Sequence, residues 1–81
     1  MTKSQIQSAW KKVIKETHNI PDWETCKRNP KQYQEIVMLR ELLLLCQVLL
    51  NKIGSGENNT INNLVFTKTL NFYCVQMEKY A

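Results

Sequence analysis

His18 and Cys26 stand on either side of Pro21, and they are the one pair in this chain whose types suit nucleophilic chemistry. An imidazole within reach of a thiol can take its proton and leave a thiolate, provided a third group orients the base. No such third group is evident. Asp22 and Glu24 lie between the two residues in sequence, where a solvated turn accounts for them. A surface imidazole and a small apolar cysteine explain the pair without any reaction. The other cysteines, Cys46 and Cys74, are far from Cys26 and from each other, and no Cys-x-x-Cys is present. With a single histidine, that spacing offers no zinc site, and no metal or cofactor is expected. Gly-Ser-Gly at 54–56 is too short for a phosphate-binding loop. The residues therefore point away from an enzyme.

The same three cysteines bound the setting. An odd number at wide spacing is no disulfide framework and fits a reducing cytoplasm. The polar opening Met1-Thr2-Lys3-Ser4-Gln5 has no apolar core of a signal peptide, and Thr2 stands where myristoylation would need glycine. The sequon Asn58-Asn59-Thr60 has no consequence in that setting.

Punctuation is sparse: Pro21, Pro30, Gly54 and Gly56. Between these breaks the apolar residues recur at helical spacing, and nothing alternates as a strand would. A first helix is expected from about Lys3 to Thr17, opened by a Thr2–Gln5 capping box. Ile6, Ala9, Trp10, Val13 and Ile14 fall within one arc of it. Asp22 to Arg28 suits a short turn or helix anchored by Trp23. A second helix should run from Pro30, capped by Asn29, to about Ile53, with Gly54 as a left-handed cap. A third, capped by Thr60 or a neighbouring Asn, should continue to about Lys79. The expected fold is all-α, a single domain over residues 1–81. Its core is a small bundle of three main helices with an extra short helix or turn near 22–28. The two long helices should pack antiparallel with the first across them.

Residues 36–50, IVMLRELLLLCQVLL, look at first sight like a membrane segment. Arg40 and Glu41 break the run, and a span needs about 20 apolar residues, so a crossing is not expected. Rotation by 100° per residue resolves it into two faces. A wide arc including Leu39, Leu42, Leu45, Leu49 and Ile53 is expected to be core. Val37, Leu44 and Val48 form a narrow second stripe, with Arg40 and Glu41 at its flanks. The third helix divides likewise. Phe66, Leu70, Tyr73, Cys74, Met77 and Tyr80 share one side, while Ile61, Leu64, Val65, Phe72 and Val75 lie roughly opposite. A helix in a lone bundle needs one apolar face, and two helices here have two.

That surplus predicts a protein–protein interaction module, a small adaptor, inhibitor or accessory subunit. Its partner-binding residues would be Val37, Leu44, Val48, Arg40, Glu41, Ile61, Val65 and Phe72, and its partner another protein or a second copy in a homo-oligomer. The alternative is a nucleic-acid-binding accessory protein. Of the 11 basic residues, Lys11, Lys12, Lys15, Lys27, Arg28 and Lys31 concentrate in the N-terminal third, within a chain of net charge +4. These six would form a basic patch if the first helix folds back near Pro30. Finally, Thr67-Lys68-Thr69-Leu70-Asn71 resembles, over five positions, the Ser-Gln-Glu-Leu-Asp motif of the helical-hairpin aspartyl-phosphate phosphatases of sporulation. Asn71 stands where that family's functional acid lies, and no membership follows.

Overall fold

The computed structural model describes residues 1–20 and 29–80, the side chain of Tyr80 excepted. The turn or helix expected at 22–28, with Trp23, lies outside the described residues, as do Cys26, Lys27 and Arg28. The described chain is all-α: α1 (Lys3–Thr17), α2 (Pro30–Gly54), α3 (Thr60–Met77) and a 3-10 turn at Glu78–Tyr80.

Local chemistry sets most of these boundaries. The Thr2 amide donates to Gln5 Oε1 at 2.8 Å while the Gln5 amide donates to Thr2 Oγ1 at 3.1 Å, so two free amides of α1 are satisfied reciprocally. Asn29 caps α2 from the Gln32 amide, with Pro30 in the first turn, where its missing N–H costs nothing. Asn59 caps α3, its Oδ1 accepting from the Asn62 amide at 2.8 Å.

Two boundaries differ from expectation. Gly54 belongs to α2, and the positive φ of 109° falls at Gly56 instead. The reason is Ser55, whose amide donates to the carbonyls of Asn51 and Lys52 and whose hydroxyl donates to Asn51 O at 2.6 Å. Those carbonyls are then satisfied without a left-handed residue at 54, and the chain reverses two residues later. At its other end, α3 tightens into the 3-10 turn after Met77 rather than running on as α-helix to Lys79.

Residues 55–59 join α2 and α3 as an antiparallel hairpin, which brings Lys79 beside Asn29 and Lys31 at the open end. Asparagines brace the closed end: Asn62 Nδ2 donates to Glu57 O at 2.8 Å and Asn63 Nδ2 to Asn58 Oδ1 at 2.9 Å. Helix α1 packs on α2 and runs in the direction of α3. Its start is held at the closed end, where the Met1 ammonium donates to Asn58 Oδ1 at 2.8 Å and to Asn63 Oδ1 at 2.9 Å. Its last turn meets Tyr73, whose hydroxyl donates to Glu16 Oε2 at 3.1 Å.

The core lies between the three helices. Leu39, Leu43, Cys46, Leu50 and Ile53 of α2 meet Phe66 and Tyr73 of α3 and Val13 of α1. Two residues expected in the core arcs are exposed: Ile14 on α1 and Leu45 on α2. Each sits at the margin of its arc. Among the described residues the backbone of α1 runs closest to that of α2, which leaves the Ile14 edge open. The arc on α2 is wider than α1 and α3 together cover.

Candidate association surface

Side chains opposite the buried face of α2 project away from the bundle. Leu44 is 58% exposed and Val48 50%, while Val37, one turn beyond Glu41, is half-buried. Arg40 and Glu41 are both exposed. Helix α3 repeats the arrangement. Phe66 and Tyr73 are buried, and on the far side Ile61 is 72% exposed and Phe72 49%, with Leu64, Val65 and Val75 exposed among them. The two stripes sit on separate helices, each turned away from the core, and do not merge into one patch.

Spacing within each stripe is that of a coiled-coil seam. Val37, Glu41, Leu44 and Val48 follow one another at intervals of four, three and four. Ile61, Val65, Lys68, Phe72 and Val75 follow at four, three, four and three. Side chains so spaced stay on one side of a helix for several turns and can interdigitate with those of a neighbour. Each seam carries one charge, Glu41 or Lys68, and both residues are exposed with no ion-pair partner among the described residues. Lys68 does not show in the pattern of apolar residues, because it is a charge set inside the stripe. Counting every residue on the arc would have found it.

A cleft of about 330 Å³ borders Leu44, formed where Thr17 and Ile20 approach Arg40, Leu43 and Gln47. It widens the α2 stripe toward α1.

Lys11, Lys12 and Lys15 are exposed on the side of α1 away from Val13, and Lys12 Nζ lies 3.6 Å from Glu16 Oε1. Lys31 is exposed as well, but at the open end of the hairpin with Lys79. It lies about 13 Å along α2 from Arg40, where α1 ends, at 1.5 Å per residue. Lys27 and Arg28, which would lie between these two groups in sequence, are outside the described residues.

Cys46 is buried, and burial first, then the nearby Cys74, pushes its thiol up to about 11. At neutral pH it is a protonated, enclosed thiol and a poor nucleophile. His18 is exposed and Cys26 lies outside the described residues, so their geometry is not defined. Among the described residues no group of three His, Cys, Asp or Glu could hold a metal ion, and no helix is long and apolar enough to cross a membrane.

Comparison of the chain with protein-family models, with curated proteins and with solved structures finds no match.

Proposed function

We propose that this protein is a non-enzymatic association module of the reducing cytoplasm. It works by presenting the outer faces of α2 and α3 to other protein chains, foremost copies of itself. One observation carries the reading: apolar side chains at seam spacing stand exposed on the far sides of two helices whose near sides already fill the core. Scattered exposed apolar residues are ordinary, but a row of them along one face of a helix marks an interaction face. Leu44, Val48 and Phe72 are each about half exposed, so burying the remainder would favour association by about 1 kcal/mol apiece before the entropy of docking is subtracted. An adaptor, an inhibitor or an accessory subunit could all act by such helix-on-helix contact.

The test separates surface from core. Leu44→Lys should abolish concentration-dependent assembly in light scattering while moving the melting temperature by only a few degrees. Leu49→Lys, at a buried position on the same helix, should leave the chain unfolded by circular dichroism. If Leu44→Lys unfolds the chain as Leu49→Lys does, the outer stripe is core and the reading fails.

A second reading rests on the lysine face of α1. Lys11, Lys12 and Lys15 lie together and exposed, an arrangement suited to phosphates. Phosphate contacts weaken steeply with salt, whereas an apolar interface changes little. Binding to an oligonucleotide that vanishes between 50 and 200 mM salt, and is lost in the Lys11→Glu, Lys12→Glu, Lys15→Glu triple variant, would favour it.

A further inference from the structure

The two stripes match each other better than either matches itself. Set antiparallel with Glu41 opposite Lys68, the seam of α2 meets the seam of α3 position for position. Val37 falls against Phe72, Leu44 against Val65, and Val48 against Ile61. The intervals four, three, four recur on both helices and read the same in either direction, so the direction is chosen by which residues meet. Set parallel on the same charge pair, Val37 and Val48 still meet Leu64 and Val75, but the central Leu44 falls against Asn71, so one of the three apolar pairs is lost.

Within one molecule this pairing cannot form, because α2 and α3 already contact each other through their opposite faces. We infer that α2 of one copy docks antiparallel on α3 of a second copy, with Glu41 of one facing Lys68 of the other. This rests on the proposed association reading and specifies its arrangement. Both charges are exposed and without an ion-pair partner among the described residues, so the contact supplies what each lacks. A single charged residue inside an otherwise apolar seam weakens the wrong registers and selects the one that neutralises it. The contact is head-to-tail, since the two stripes lie on the far sides of helices whose near sides face each other, and one neighbour cannot cover both. Every copy that uses its α2 stripe still offers its α3 stripe, so copies add in a ring or an open row rather than closing as a two-fold pair.

Mixing tests the arrangement. Leu44→Lys spoils the α2 stripe and keeps the α3 stripe, and Phe72→Lys does the reverse. Both positions are exposed, so both variants should fold, which circular dichroism checks. In sedimentation velocity each variant alone should be monomeric, and an equimolar mixture should give a dimer that goes no further. A variant that still dimerises alone, or a mixture that stays monomeric while the wild type assembles, overturns the arrangement and leaves self-association standing. A wild type that stays monomeric up to millimolar concentration overturns both. Charge reversal then tests the register. Glu41→Lys and Lys68→Glu should each raise the assembly Kd about tenfold or more, because like charges then face each other. The two changes in one chain should restore it to within a few-fold of wild type. A double variant no better than the singles removes the Glu41–Lys68 pairing.

Discussion

Tyr73 joins two helices through one oxygen. Its hydroxyl donates to the Glu16 carboxylate and approaches the Glu16 carbonyl, while its ring fills the core. Burial, followed by that hydrogen bond and the neighbouring negative charge, raises the phenol well above its ordinary 10. Cys46 behaves alike, raised from 9.0 to about 11 mainly by burial. Both groups are acids held protonated by the fold, so the unfolded chain loses their protons first. Their contribution is intact below about pH 9. It falls away as pH rises: for Cys46 between 9.0 and about 11, and for Tyr73 from 10 upward. We expect the melting temperature to decline across that alkaline range. Cys46→Ala should flatten the lower part of the decline and Tyr73→Phe the upper part. At neutral pH, Tyr73→Phe should cost about 0.5–1.5 kcal/mol, the net worth of a hydrogen bond. An alkaline slope unchanged in both variants would mean that these groups are not held protonated.

Among the elements, the closed end of the hairpin gives the sharpest contrast. Gly54 is helical and a methyl group there meets nothing within 4 Å, while Gly56 has a φ of 109° that an L side chain rarely adopts. Gly54→Ala should therefore raise stability by about 0.5–1 kcal/mol through lower unfolded-state entropy. Gly56→Ala should lower it by more than that, and denaturant midpoints of the two variants decide the matter. Sequence alone put the left-handed residue at 54, because glycine is the usual partner of a helix end. It did not foresee that Ser55 would satisfy the last carbonyls. The caps at Thr2 and Asn29 were legible, since each depends on residues only three apart, whereas for α3 the sequence left Thr60 and its neighbouring asparagines open and Asn59 holds the place. So were the outer stripes, whose spacing is written along a single helix. Burial at the margins was not legible. Whether Ile14 or Leu45 is covered depends on where a neighbouring helix lies, and no periodicity within one helix records that.

Across the whole molecule, the three helices are joined by contacts of very different reach. The hairpin closes through residues 55–59, so α2 and α3 are neighbours along the chain as well as in space. Helix α1 is tied to the rest by bonds that span 57 residues between Glu16 and Tyr73 and 62 between Met1 and Asn63. Its one fully buried side chain is Val13. Local contacts form cheaply and distant ones only after a long loop has been closed. We therefore expect the hairpin to assemble early and α1 to arrive last and leave first. Backbone amides of α1 should exchange with solvent deuterium through a partial opening that leaves the middle of α2 and α3 protected, whereas equal protection across all three helices would make the fold one cooperative unit.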